Sequence, residues 1–313
     1  MTEKVYDVVI IGGGPAGFTS GIYTAREKLD TVLLEKSMTG GLPNVTDLIE
    51  NYPGFPEGIA GPELMQKFRR QAERFNVAIK EYDEVGEIIP GNEYHTVKTE
   101  KKEYRSKAVI IASGGLPRLL NVPGEKEFTG RGVSYCATCD GPFYKDADIV
   151  VVGGGDAAIQ EALFLTKFAS NVTIIHRRDQ LRASPILQQR AFDHKQTGFI
   201  WDSVVTKISG NNLVEAVEIK NVKTGEISIK KTDGVFIFVG WFPNTAFVKD
   251  LVELDNEGHI ITDCYMNTNI KGVFAVGDVR SKKFRQIAEA VGDATVGALA
   301  VSEYISELHQ TTT

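Results

Sequence analysis

The stretch Tyr6-Asp7-Val8-Val9-Ile10-Ile11-Gly12-Gly13-Gly14-Pro15-Ala16-Gly17-Phe18 decides the fold of this chain. From Asp7 to Ile11 it reads as a strand buried on both faces, because four successive branched side chains leave no polar side. The glycines stop the strand, and the segment after them places apolar residues at helical spacing. In a strand-turn-helix setting, Gly12-x-Gly14-x-x-Gly17 has mechanical content. Gly12 permits the tight turn, Gly14 lets a pyrophosphate approach the backbone, and Gly17 lets the helix pack on the strand. The helix that opens through Pro15 and Ala16 presents unpaired N–H groups and the positive end of its dipole to phosphate. A second strand, Thr31 to Leu34, ends in Glu35, a carboxylate placed to accept from ribose hydroxyls, which favours an adenosine without a 2'-phosphate. The alternative for the same residues is a glycine-rich turn with no ligand.

The pattern occurs again. The strand Asp148 to Val152 runs into Gly153-x-Gly155-x-x-Ala158, with Asp156 inside the motif, and predicts a helix over Ala157 to Ser170. The next strand, Val172 to Ile175, ends in His176-Arg177-Arg178, with Arg182 four residues beyond. Cations at that position suit a 2'-phosphate, so this second cradle favours NADPH over NADH, the alternative being a solvated basic run. Two such starts imply two nucleotide-type domains and an α/β fold. Between them lie a polar, turn-rich stretch from Gly91 to Glu103 and a buried-strand run, Ala108 to Ala112. That run ends at Ser113-Gly114-Gly115-Leu116-Pro117, and another, Val235 to Val239, ends at Gly240-Trp241-Phe242-Pro243-Asn244. Both ends are linker or hinge candidates. A third run, Val273 to Val276, ends at Gly277-Asp278.

Composition agrees with this layout. The 313 residues suffice for about two domains. A net charge of -6 with 42% hydrophobic residues describes a globular protein with no bias toward nucleic acid. No targeting or membrane segment is visible, which makes the cytoplasm the default compartment, and the polar tail 310–313 is expected to fray. Three cysteines are too few for a disulfide-stapled scaffold, but two form Cys136-Ala137-Thr138-Cys139, followed by Asp140. Two thiols at this spacing close a small redox disulfide. Zinc would need two more ligands, and neither Cys264 nor the five histidines offer a second paired half-site, so no metal is expected. Asp140 serves either as a proton donor and acceptor for the thiols or as a cap or turn residue. Cys264 reads as a small buried residue. A nicotinamide hydride reaches a disulfide through a group that accepts two electrons, so the first cradle is assigned FAD. A non-catalytic flavin or nucleotide sensor would have no use for the CxxC pair.

Along nearly the whole chain these motifs resemble the low-molecular-weight thioredoxin reductases. The residues that carry the likeness include Gly12-Gly13-Gly14-Pro15-Ala16-Gly17, Thr39-Gly40-Gly41, Glu50-Asn51-Tyr52-Pro53-Gly54, Cys136-Ala137-Thr138-Cys139-Asp140, Gly153-Gly154-Gly155-Asp156, His176-Arg177-Arg178-Asp179, Gly277-Asp278 and Arg285-Gln286. The resemblance implies two Rossmann-like three-layer domains, the second inserted into the first. FAD would be held by 1–115 and 244–313, and NADPH by 116–243, which also carries the dithiol. It further implies that Cys139 faces the flavin, Cys136 attacks the disulfide of a thioredoxin or similar small redox protein, and Asp140 handles protons. Gly41, Asn51, Gly277, Asp278, Arg285 and Gln286 join the FAD site, with Asp278 at its ribityl-pyrophosphate region. A homodimer is implied as well. The sequence departs from the family at Leu42-Pro43, where Gln is usual, at Ala157 and Gln160, and at Ala294. These departures leave open another electron donor, ferredoxin or a deazaflavin, although relatives of that kind tend to lose the basic triplet kept here. Another disulfide acceptor is also open.

Overall fold

A computed structural model describes residues 4–311. The chain divides into two compact units, one of Met1–Asn44, Leu48–Leu116 and Phe242–Thr313, the other of Val45–Asp47 and Pro117–Trp241. Along the chain come β1 (Val5–Ile11), α1 (Pro15–Arg26), β2 (Thr31–Leu34), α2 (Gly61–Arg74), β3 (Ala78–Lys80), β4 (Val85–Ile89), β5 (His95–Thr99), β6 (Glu103–Ile111) and β7 (Gly115–Pro117). The second unit supplies β8 (Val133–Ser134), α3 (Ala137–Asp140), β9 (Asp148–Gly153), α4 (Asp156–Leu165), β10 (Asn171–Ile175) and α5 (Pro185–Asp193). It continues with β11 (Thr197–Ile200), β12 (Ser203–Gly210), β13 (Val214–Asn221), β14 (Ile227–Lys231) and β15 (Gly234–Phe238). The chain returns through β16 (Trp241–Pro243), which pairs with β7, to β17 (Val273–Ala275) and α6 (Ile287–Thr311).

The first unit is built on a sheet of order β3-β2-β1-β6-β5-β4, parallel from β3 through β6. The outer edge of β6 is shared: its first half pairs antiparallel with β5, and Val109–Ile111 pair parallel with β17. Alternation along β1 divides the core between the two faces. Val8 and Ile10 pack with Phe18 and Ile22 of α1 and with Ala294, Val301 and Ile305 of α6. Val9 and Ile11 face the other way, toward Val248, Val252 and Ile260.

The second unit repeats the plan with a parallel sheet, β11-β10-β9-β15-β8. Ile149 and Val151 pack against Ala158, Ile159, Ala162 and Leu165 of α4. Val150 and Val152 meet Val205, Ile208, Val217 and Ile219 of the antiparallel ribbon β12-β13-β14. In both sheets the chain order reverses beside the first strand, β1 or β9, and ligand crevices open at the carboxyl end of a strand at such a point.

Three features differ from expectation. The helix after the second cradle ends at Leu165 rather than Ser170, because Thr166 Oγ1 bonds back to Leu163 O at 2.6 Å and the chain turns at Lys167–Ala169. The stretch 91–103 contains the strand β5, whose His95 and Val97 are buried. Gln310 is helical instead of frayed, and residues 312–313 lie outside those described. No helix among the described residues is long and apolar enough to cross a membrane.

Candidate redox site and its two nucleotide cradles

At the end of β1, Gly12 has φ +110, and a Cβ there would lie 2.3 Å from Ala112 O; a Cβ at Gly17 would lie 1.8 Å from Gly12 O. Only glycine lets this turn close and α1 dock on it. Gly14 is different, since a Cβ there would meet nothing nearer than Gly41 Cα at 4.0 Å, which leaves its face open to a ligand. Pro15 begins α1 without an N–H of its own, and no side chain caps the first turn, so the N–H groups that follow, from Ala16 on, keep free donor capacity. Glu35 Oε2 accepts the Gly13 N–H at 2.8 Å, and Oε1 accepts the Ser37 N–H at 3.1 Å, which fixes the carboxylate over the cradle. The turn carrying Gly41 is tied down twice. Gly40 N–H donates to Gly13 O at 2.8 Å, and Glu81 binds both the Thr39 N–H and Oγ1 while pairing with Arg69 at 2.8 Å. Sequence reasoning missed Arg69 and Glu81, because support contributed by α2 and the end of β3 has no local motif.

The chain's return brings distant residues to this cradle. Gly277 sits against α1, where a Cβ would be 2.8 Å from Ala16 Cβ. Asp278 follows it, with Oδ1 buried and accepting no hydrogen bond. Burial pushes its carboxyl above the usual range, and the charges of Lys282 and Arg285 act against that shift. A buried, unfilled acceptor beside an open Gly14 and free helix amides is the donor-and-acceptor set that the pyrophosphate and polyol of a flavin dinucleotide require. Arg285 Nε donates to Asp278 O at 3.3 Å, and Asn51 Nδ2 donates to Gln286 Oε1 at 2.9 Å.

The second cradle follows the first in geometry. Gly153 and Gly155 flank the turn, Ala158 is fully buried in α4, and the first turn of α4 also lacks a side-chain cap. Arg182 N–H donates to Gly154 O at 2.7 Å and Ser184 N–H to Asp156 Oδ1 at 2.6 Å, which closes the 182–184 segment over the loop. Arg177, Arg178 and Arg182 are exposed, and Asp179 does not neutralise them, since Lys223 holds it at 2.9 Å. His176 departs from its expected role as a cation. The residue is 4% exposed, and a Cβ on Gly154 would lie 2.3 Å from its Nδ1. Burial and then the charges of Arg182, Arg178 and Arg177 hold the imidazole below its usual pKa, so it underlies the cradle as a neutral ring.

Cys136 and Cys139 are joined as a disulfide, with Cα atoms 5.3 Å apart. Cys139 is exposed and Cys136 half-buried at the N-cap of α3. Cys136 Sγ accepts the Cys139 N–H at 3.1 Å and stands 3.5 Å from Thr138 Oγ1, which donates to Val45 O at 3.1 Å. A donor aimed at one sulfur favours negative charge there once the disulfide opens. Asp140 closes α3, half-buried, and its N–H donates to Cys136 O. On α4, Glu161 is 5% exposed; burial, followed by the charge of Asp47, pushes its carboxyl up to about 8. The reading of Cys264 as buried is overturned. The Asp263 carboxylate takes the N–H groups of Tyr265 and Asn267 at 2.9 Å each, and this turn sends Cys264 outward while Met266 takes the buried place. No cluster suited to a metal occurs among the described residues.

Residues 6–294 match the family described as pyridine nucleotide-disulphide oxidoreductase. The chain belongs to this family. Membership brings a pyridine nucleotide, a flavin and a reactive disulfide together in one oxidoreductase. The chain is 49% identical over 310 residues to the thioredoxin reductase of Bacillus subtilis, a match that covers 99% of this chain and 98% of that one. Among solved structures it resembles the Lactococcus lactis thioredoxin reductase in its FR conformation, with TM-score 0.95, 50% identity and coverage of 96% and 99%. The thioredoxin reductase of T. acidophilum gives TM-score 0.93 at 38% identity, covering 96% and 99%.

Proposed function

We propose that this chain is a thioredoxin reductase, which moves an electron pair from NADPH through FAD to the Cys136–Cys139 disulfide and on to a thioredoxin or a similar small redox protein. The observation that carries the reading is the disulfide itself, a CxxC pair whose Cys136 sulfur is held by the Cys139 amide, in a chain with two phosphate cradles.

Gly12, Gly14, Gly17, Gly41 and the first-turn amides of α1 would hold the FAD phosphates, Glu35 its adenosine ribose, and Asp278 its ribityl-pyrophosphate region. Asn51, Arg285 and Gln286 belong beside the ring. Gly153, Gly155, Asp156 and Ala158 shape the NADPH cradle, Arg177, Arg178 and Arg182 attract the 2'-phosphate, and His176 supports the loop. A flavin held by these residues would supply the two-electron carrier between a nicotinamide and the disulfide. The Cys136–Cys139 bond then breaks, leaving one thiolate and one thiol. The Cys136 thiolate, held by the Cys139 N–H, attacks one sulfur of the acceptor's disulfide and expels the other as a thiolate. Cys139 then attacks Cys136 Sγ, re-forms the internal disulfide and releases the reduced acceptor. Asp140, next to Cys139, takes and returns the proton of the resolving thiol. The assignment divides the chain into FAD-binding segments 1–115 and 244–313 around an NADPH-binding segment 116–243, and it carries a homodimer working in the cytoplasm.

The test is a spectrum. Purified protein should show bound flavin, and NADPH should bleach it faster than NADH; rapid bleaching by reduced ferredoxin with none by NADPH would instead favour the other donor. The exposed arginines at the second cradle support NADPH.

A further inference from the structure

Lys282 lies in the loop before α6 with only 8% of its side chain exposed. Its ammonium stands 3.1 Å from Asp293 Oδ2, 3.3 Å from Glu289 Oε2 and 3.8 Å from Asp278 Oδ1. Asp293 has other partners, since Arg280 pairs with its Oδ1 at 2.7 Å and the Gly277 N–H reaches Oδ2 at 3.2 Å. The remaining two oxygens are different. Asp278 Oδ1 and Glu289 Oε2 are buried, lie within ion-pair reach of one ammonium, and accept no hydrogen bond. Buried acceptors are normally filled, so these two oxygens, paired with a single cation and carried on side chains 30% and 36% exposed, have capacity left for hydroxyl donors.

We infer that Glu289 is a second polyol-binding residue beside Asp278 in the FAD site, and that Lys282 is the positioning residue that holds the two carboxylates side by side. The inference rests on the assignment of Asp278 to the ribityl-pyrophosphate region of FAD. The charges that face Asp278 come from its own loop, Lys282 and Arg285, and from α6, Glu289 and Asp293. Helix α1, which puts Ala16 against Gly277, has no charged side chain before Arg26. Without Lys282, burial and two neighbouring carboxylates all favour protonation, opposed by Arg285 alone. An ionised carboxylate is the stronger acceptor for a hydroxyl, and protonation removes part of that strength.

The test measures FAD release from the purified flavoprotein by fluorescence of the free cofactor at pH 6, 7 and 8. Wild type should hold FAD with a pH-independent Kd. Lys282→Met should weaken it about tenfold at pH 8, the scale of one charge-assisted hydrogen bond, and further as pH falls. Lys282→Arg should restore the flat profile, and Glu289→Gln should weaken binding about fivefold at every pH. Variants that hold FAD within twofold of wild type across the range would overturn the inference alone; a wild-type protein that takes up no FAD overturns the flavin assignment and the inference with it. Should Lys282→Met fail to fold, Glu289→Gln decides, since unchanged affinity in that variant removes the second acceptor.

Discussion

Asn51 Nδ2 donates to Gln286 Oε1 at 2.9 Å, joining the loop before α2 to the residue that precedes α6 across 235 positions of sequence. Each side chain is exposed, so the bond orients two amides without supplying much of the folding energy. Asn51→Ala should therefore leave thermal stability nearly unchanged. It should weaken FAD retention about fivefold, the equivalent of one neutral hydrogen bond worth about 1 kcal/mol. Equilibrium dialysis of the flavin checks this, and equal retention in wild type and variant would mean that the pair orients nothing.

Cys136 and Cys139 should separate cleanly by substitution. Either serine variant should still be bleached by NADPH, because hydride transfer to the flavin does not need the dithiol. Either should reduce thioredoxin at below about 1% of the wild-type rate, since exchange requires both sulfurs. Cys139→Ser should trap a mixed disulfide with an oxidised thioredoxin through Cys136, visible on a non-reducing gel and absent from Cys136→Ser. The reverse pattern would exchange the two roles.

Much of this arrangement is legible in the chain. The β-branched runs define β1, β2, β9 and β10, because a strand buried on both faces admits almost nothing else. The two glycine turns are legible for a similar reason, since a Cβ at Gly12 or Gly17 would collide with backbone. What stays hidden depends on non-local partners or on a balance of local bonds. His176 reads as one of three cations until Gly154 is seen to lie against its ring. Cys264 looks apolar enough to bury, yet the Asp263 turn assigns the inward place to Met266. The Arg69–Glu81–Thr39 cluster and the Lys282 network have no sequence period, so nothing in spacing announces them.

Arg177 and Arg178 should govern the choice of nicotinamide. Replacing either with Ala removes a charged donor from the exposed end of β10, and such bonds are worth about 1.5–3 kcal/mol. KM for NADPH should rise roughly 10- to 100-fold while the constants for NADH change little. The salt dependence of NADPH binding should also flatten in the variants. Equal losses with both nucleotides would show that the arginines act on the fold of the cradle and not on the phosphate.

Glu161 links the second unit's stability to pH. Its carboxyl is raised from an ordinary 4.5 to about 8 by burial and by the charge of Asp47. The folded chain therefore holds a proton that the unfolded chain releases. Stability from this group is full below the ordinary carboxyl range and is lost progressively as pH climbs toward and through about 8. By pH 8 the loss is on the order of 3–5 kcal/mol, since each tenfold difference in proton affinity between the folded and unfolded chains is worth about 1.4 kcal/mol. Glu161→Gln keeps the shape of the side chain and removes the ionisation. Its melting temperature should stay level between pH 6 and pH 9 where that of wild type falls by several degrees, so that the variant is the more stable protein at the alkaline end. Calorimetry across that range checks the slope, and parallel declines in the two proteins would mean that Glu161 does not hold the proton.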